Sequence, residues 1–412
     1  MDTQNPALKI RSEVGPLKTI LLHRPGGELE RLIPKYLDEM LFEDIPYLAQ
    51  MQAEHDKFAE VLRANGAEVL YFEKLLEDIL EAGKVKEAVI AEITAGLRVN
   101  SAPLKEDIRA LLAGMPPREL TATLLSGLSK KEVPHSEAEK RLSFYIKDEY
   151  PFYIDPLPNL YFSRDYGTVI GTRLSVNTMK ARARKRESML LQHIAEHHPR
   201  FRGCRLWHRH NEPDSIEGGD ILVLNDSVIA VGCSARTSPE GIETLASRLF
   251  AEDETVREVL VIQIPFTRAY MHLDTVFTMV DVDKFTIFPG IADSAHIFRL
   301  SPGGQKNRGG IRIRQEKNLA RTLAKSLNLP AVRLIATGGG DTWSAEREQW
   351  NDSTNTLAIA PGKVITYRRN ILSNEILRQN GVEVLEIAGS ELVRGRGGPR
   401  CMSMPLRRSS TG

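Results

Sequence analysis

Cysteine is scarce in this chain: Cys204, Cys233 and Cys401 are the only three in 412 residues. Their odd number and wide spacing exclude a disulfide framework and suit a reducing compartment. Net charge is equally slight. With 55 Lys and Arg against 54 Asp and Glu, a formal +1, the chain lacks the basic excess that phosphate binding leaves, so nucleic acid is not expected as a partner. The Arg-Gly cluster at Asn307-Arg308-Gly309-Gly310 is only local. No stretch approaches the length of an apolar membrane span, and Met1-Asp2-Thr3-Gln4-Asn5 shows no basic region followed by an apolar run. A cytoplasmic protein without a membrane partner is the expectation. Low-complexity segments are missing too: at 42% hydrophobic and 26% charged residues, the composition is that of an ordinary globular chain.

The length exceeds what one hydrophobic core usually organises, which points to two domains or one large domain with an insertion. Short β-branched segments recur at 17–24 (ending in Arg24), 168–173, 228–232 (leading to Arg236), 276–280 and 356–360, most of them after a polar turn. They suggest an internal repeat. Helical stretches at 49–65 and 315–327 lie between them, so the architecture reads as α/β. Strand, Gly-Gly-Asp and strand read twice, at 217–220 and 338–341, for which shared turn chemistry is the plainer account. From about residue 75 to 147 strand patterns vanish. Val85, Val89, Ile93 and Leu97 line one helix face, and Leu104, Ile108, Leu111 and Leu112 line a second, which Ser101 can cap. Pro116-Pro117 punctuates before Leu120, Leu124 and Leu125. The expected organisation is an α/β domain from 1–74 and 148–412, interrupted by a helical bundle at 75–147.

Chemistry concentrates in four motifs. Near the C-terminal end, Gly395-Arg396-Gly397-Gly398-Pro399-Arg400-Cys401-Met402-Ser403-Met404-Pro405-Leu406 sets a lone cysteine on a glycine-rich turn beside two arginines. Glycines permit strained angles and close approach, while adjacent positive charge favours the nucleophilic thiolate. By itself this segment also reads as a frayed tail. The partners a nucleophile needs occur in Phe162-Ser163-Arg164-Asp165, Glu217-Gly218-Gly219-Asp220 and Met271-His272-Leu273-Asp274-Thr275. A cysteine with a distant histidine and carboxylates suits an enzyme whose fold must bring them together.

In this order, and with Leu17-Lys18-Thr19-Ile20-Leu21-Leu22-His23-Arg24-Pro25 and Asp38-Glu39-Met40-Leu41-Phe42-Glu43-Asp44, the motifs resemble the arginine deiminases of the guanidino-group-modifying superfamily. The resemblance runs through nearly the whole chain. It implies the pentein fold, a five-bladed α/β propeller of ββαβ units with the site at its centre. Arginine deiminases carry a helical insertion at 75–147, which relatives acting on methylated arginine generally lack. The implied reaction converts L-arginine and water to L-citrulline and ammonia with no cofactor and no metal, in a homo-oligomer of two or four chains. On the matching positions, Cys401 would attack the guanidinium carbon, His272 would move the protons, and Glu217 would orient His272. Asp165 and Asp274 would hold the guanidinium. Arg396, Arg236 and Arg184, the last within the basic run 182–186, would meet the substrate carboxylate; Asn159 and Phe162 would line the site, and Leu41 would sit on a covering loop.

This assignment agrees with what the reaction demands. A resonance-stabilised cation must be held by carboxylates, whose charge-assisted bonds are about twice as strong as neutral ones, then attacked by a strong nucleophile and relieved of a protonated nitrogen. Three carboxylates near Cys401 are expected to raise its pKa, and charged His272 to lower it. Rival readings are an amidinotransferase or another guanidine hydrolase on the same fold, and a non-catalytic arginine-binding protein, which would gain nothing from a thiol and a general acid. In 197–210 histidines alternate with arginines, which fits no zinc pattern. Gly338-Gly339-Gly340-Asp341 lacks the Gly-Lys-Ser/Thr of a phosphate loop and reads as a turn. His23 reads as structural.

Overall fold

The computed structural model describes residues 7–99, 101–133, 150–291, 294–303 and 310–410. Met1 to Asn5, the cluster at Asn307-Arg308-Gly309 and residues 134–147 of the expected insertion lie outside the described residues.

One pairing rule governs five sheets. In each, two antiparallel strands are followed by a helix and a third strand that returns parallel to the second, since a parallel partner needs a crossover. The rule appears first in Gly167–Ile170, Arg173–Val176 and Leu206–His208, joined through the helix Lys185–His197. It recurs in Ile221–Val223, Val228–Cys233 and Glu258–Gln263, across the helix Pro239–Glu252. That sheet is extended by His296–Pro302 and Ile311–Glu316. Phe277–Met279, Lys284–Ile287 and Arg333–Ala336 follow, then Leu357–Ala360, Lys363–Tyr367 and Glu383–Ile387. The fifth sheet joins the two ends of the chain: Met404–Arg408 is antiparallel to Leu17–Leu22, which is parallel to Glu68–Tyr71 beyond the helix Leu48–Ala64.

The five strands read from the sequence fall in five different sheets, but not at equivalent places. Leu17–Leu22 and Val228–Cys233 are second strands, and the other three are first strands. Residues 168–173 are not one strand, because Gly171 at φ 62° turns the chain between Gly167–Ile170 and Arg173–Val176. The helix expected at 315–327 is Leu319–Ser326; Gln315 and Glu316 belong to the preceding strand, and Asn318 caps the helix by accepting from the Arg321 amide at 2.8 Å. The two Gly-Gly-Asp turns also part company. Gly218–Asp220 leads into a strand, whereas Asp341 caps the helix Thr342–Trp350.

Between residues 72 and 126 the chain forms the helices Phe72–Leu80, Gly83–Ala95, Ala102–Gly114 and Pro117–Ser126. Their expected apolar faces are buried through Val89, Ile93, Ile108, Leu112, Leu120 and Leu124, and the Ser101 hydroxyl accepts from the Leu104 amide at 3.3 Å. These side chains share one continuous core with Leu190 and Ile194 of Lys185–His197 and with strand residues Val169 and Leu174. Among the described residues no helix is long and apolar enough to cross a membrane.

Candidate active site

Each candidate catalytic side chain stands in the turn that precedes the first strand of its sheet. Asp165 lies in the single helical turn Ser163–Tyr166 before Gly167–Ile170, and Glu217 abuts the turn Gly218–Asp220 before Ile221–Val223. His272 and Asp274 flank Leu273 before Phe277–Met279, and Cys401 precedes Met404–Arg408. Repetition of one supersecondary unit therefore delivers residues far apart in sequence to a common place. His272 Nε2 lies 2.8 Å from Glu217 Oε2, its Nδ1 lies 3.7 Å from Asp165 Oδ1, and Cys401 Sγ stands 3.6 and 3.9 Å from the two oxygens of Asp274. The Arg164 amide donates to the Cys401 carbonyl at 3.0 Å. All five side chains are sealed from solvent, none more than 4% exposed.

Glycines allow this crowding. A Cβ at Gly219 would stand 2.7 Å from the His272 ring, and one at Gly397 would overlap the Phe162 ring. Left-handed backbone in the cysteine segment belongs to Arg396, at φ 63°, and not to its glycines. Asp220 fastens two of the turns together, accepting from the Leu273 amide and the Ser234 hydroxyl at 2.7 Å each.

Charge is arranged in opposed pairs. Burial alone would raise the Glu217 carboxyl, but its hydrogen bond and Coulombic attraction to His272 bring it down to about 2. Burial likewise disfavours charge on His272, yet Asp165 and Glu217 raise it to about 9. The Cys401 thiol is pushed well above its ordinary range, by burial first and then by Asp274, Asp165 and Asp352. The carboxylate effect expected from the sequence is present, with burial ahead of it. The arginines beside the cysteine do not prevail. Arg400 is engaged by Glu13 at 2.8 Å and by Asp274 Oδ2 at 2.7 Å, while the Arg396 guanidinium stacks on Trp350 at 3.4 Å from the ring centroid.

Of the expected substrate contacts, three gather at Asp165. Arg184 is buried, pairs with Asp165 at 2.5 Å and Glu187 at 2.8 Å, and donates to the carbonyls of Asn159 and Phe162 at 3.3 Å each. Asn159 donates to the Met40 carbonyl at 2.6 Å, which ties it to the segment bearing Leu41. Leu41, at φ 58°, lines a cleft with Glu39, Arg98, Asp155 and Ala183. Phe162 packs on Tyr161, with ring centroids 3.9 Å apart and planes tilted by 34°. Arg236 is half-buried, with a guanidinium nitrogen 3.7 Å from Met271 Sδ, and Arg396 Nε and one terminal nitrogen have no hydrogen-bond partner among the described residues. The structure does not bring Arg236 or Arg396 into hydrogen-bonded contact with the five.

Sequence reasoning missed Asn355, which touches Cys401 at both its amide and its sulfur, and Glu13, which anchors Arg400. The signal for Asn355 was the polar run Asp352-Ser353-Thr354-Asn355 just before a strand, the same context that carries the other site residues. Three of the four histidines of 197–210 face carboxylates, and His197 stacks on His193. His208 meets Glu212 at 3.2 Å, His210 meets Glu92 at 3.1 Å and His198 meets Asp78 at 3.5 Å. Among the described residues no group of three or more His, Cys, Asp or Glu side chains could hold a metal ion. His23 is buried between Glu28 and Glu73.

The fold is shared with solved structures of other proteins. SxtG, an amidinotransferase from Microseira wollei in the saxitoxin biosynthetic pathway, matches over 98% of both chains at 14% identity with a TM-score of 0.57. ArgZ, an arginine dihydrolase from the ornithine–ammonia cycle in cyanobacteria, matches 96% of this chain and 39% of its own at 12% identity, with a TM-score of 0.51. The mixed α/β fold is thus that of the amidinotransferases and their relatives. The family model for arginine deiminase matches residues 38–408. Arginine deiminase of Staphylococcus aureus (strain MRSA252) is 48% identical over 97% of this chain and 98% of its own, and that of Latilactobacillus sakei is 46% identical over 98% and 99%. The chain belongs to the arginine deiminase family of hydrolases.

Proposed function

We propose that this protein hydrolyses L-arginine to L-citrulline and ammonia through a covalent intermediate on Cys401. The observation that carries this reading is the sealed cluster in which Cys401 Sγ lies against Asp274 while His272 is held between Glu217 and Asp165. The substrate guanidinium sits between Asp165 and Asp274, and its positive charge offsets the carboxylates that hold the thiol protonated. As substrate binds, the Cys401 thiol gives its proton to solvent; the thiolate attacks the guanidinium carbon, a C–S bond forms, and charged His272 protonates the nitrogen, whose C–N bond breaks as ammonia leaves. His272 then takes a proton from water, which adds to the same carbon. Collapse breaks the C–S bond, returns the thiolate and releases citrulline, the remaining hydroxyl proton of the adduct passing to solvent. Glu217 keeps the imidazole oriented and favours its charged form. Arg184, Arg236 and Arg396 receive the substrate carboxylate, Asn159 and Phe162 bound its chain, and the segment of Leu41 covers it. Since all five catalytic groups are buried, that cover opens to admit substrate.

The same reading holds the five sheets to be blades of a propeller around the site, and residues 75–147 to be an inserted helical bundle domain on a body of 1–74 and 148–412. It takes the enzyme to be cytoplasmic and homo-oligomeric, a dimer or tetramer, acting in arginine catabolism. Incubation with L-arginine, agmatine and dimethylarginine, followed by assay of ammonia and ureido product, tests the proposal. Citrulline from arginine alone, lost in Cys401→Ser, is expected. Turnover of agmatine would remove the arginine fork from the account, and consumption of arginine only with an amine acceptor would make the protein an amidinotransferase.

A further inference from the structure

Four of the five sheets receive a candidate catalytic group in the turn before their first strand. The corresponding turn before Leu357–Ala360 carries Asn355, which is fully buried. Its Oδ1 accepts the Cys401 backbone N–H at 2.9 Å, and its Nδ2 lies 3.0 Å from Cys401 Sγ. The first bond fixes the orientation of the amide: only oxygen can accept from a backbone N–H, so the NH₂ group must face the sulfur. The Asn355 carbonyl also accepts from the Arg400 amide at 3.3 Å, and a Cβ at Gly398 would stand 2.6 Å from that carbonyl oxygen. Asn355 is therefore laid along the whole turn that presents the cysteine.

The two neighbours of the sulfur have opposite preferences. Asp274 can accept a hydrogen bond from a thiol and repels a thiolate, whereas an amide N–H gains a charge-assisted bond when the sulfur is ionised. Among the described residues, Asn355 supplies the one side-chain donor to that sulfur. We propose that Asn355 is a catalytic residue, whose side-chain amide stabilises and aims the Cys401 thiolate as it attacks and again as it departs. No proton leaves Asn355, so the covalent steps balance as written above. This inference rests on the reading of Cys401 as nucleophile.

Two variants of the full chain test it. Asn355→Asp keeps an oxygen for the Cys401 amide and replaces the donor with an acceptor; Asn355→Ala loses the donor without adding charge. Iodoacetamide labelling of Cys401 is followed against pH by mass spectrometry, which separates it from Cys204 and Cys233, and kcat and KM for L-arginine are measured alongside. At pH 7 both variants are expected to label about 10- to 100-fold more slowly, with the curve displaced to higher pH and kcat lowered about as much while KM changes little. A wild-type labelling curve in either folded variant would overturn the proposal, because a merely structural anchor lowers the melting temperature without displacing the curve. If Asn355→Asp does not fold, Asn355→Ala gives the same reading. Wild-type protein that labels at Cys401 but makes no citrulline would sink the proposed function, and the displaced curve would still support Asn355. Citrulline production together with an undisplaced curve would do the reverse.

Discussion

His272 carries the clearest pH signature of any single side chain in the site. Its charged form is held to about 9, against 6.5 for an unperturbed histidine, by Asp165 and Glu217 acting against burial. In the proposed role of proton donor to the leaving nitrogen it must be charged, so kcat/KM for arginine is expected to fall as pH rises through about 9. In Glu217→Gln that alkaline limb should move to lower pH, because the hydrogen-bonded carboxylate is gone; a rate profile that does not move would take His272 out of the acid role. At this scale the sequence was informative about identity and less so about cause. The cysteine, the histidine and the three carboxylates that the structure gathers could all be named from motifs. The reason for the glycines could not: Gly397 and Gly398 make room for Phe162 and Asn355, and the left-handed residue is Arg396.

Elements are tied to the site by side chains whose sequence context is bland. Glu54 on the helix Leu48–Ala64 is buried and accepts from the Glu391 and Leu392 amides at 3.0 and 3.1 Å and from the Ser390 hydroxyl at 2.6 Å. It anchors the turn Leu392–Gly395 that leads to Arg396. Replacing it by Ala leaves buried N–H groups without partners, so Glu54→Ala is expected to cost about 3 kcal/mol in urea unfolding and to raise KM for arginine as Arg396 loosens. Equal stability of variant and wild type would show that water substitutes for the carboxylate. Helices were legible because their apolar spacing is a local property; Val89 and Ile93 or Ile108 and Leu112 are buried as the periodicity required. Strand roles were not, since runs of three to six residues such as Ile221–Val223 and Val228–Cys233 carry no mark of which neighbour they pair with.

Over the whole molecule, buried ion pairs give stability two pH limits. His23, between Glu28 at 3.1 Å and Glu73 at 2.8 Å, is raised from 6.5 to about 10 by those carboxylates against burial, so its contribution is complete below pH 6.5 and is lost as pH rises through about 10. Glu13 runs the other way. Burial opposes its ionisation, but Arg400, Arg164 and Arg408 bring it from 4.5 to about 2, so its contribution is present above 4.5 and is lost as pH falls toward 2. The melting temperature should hold a plateau at neutral pH and drop on both sides. His23→Gln should lower the plateau and flatten the alkaline side, which calorimetry against pH would measure; an alkaline fall as steep as wild type would assign that limb to other groups.

The sequence by itself determined the chemistry available to this protein: a cysteine on a glycine-rich turn, one histidine among carboxylates, an α/β texture and a helical stretch after about residue 75. These are properties of residue type and short-range spacing, which survive without coordinates. Only the tertiary structure decided that five successive turns deliver their side chains to one place, that Arg400 is neutralised by Glu13 and Asp274, and that burial leads in raising the Cys401 thiol. It also decided the place of Asn355, 46 residues from the sulfur it touches. A neutral amide announces nothing in a sequence, because its role depends on which acceptor the fold sets against it, and that choice is made by pairing between strands far apart along the chain.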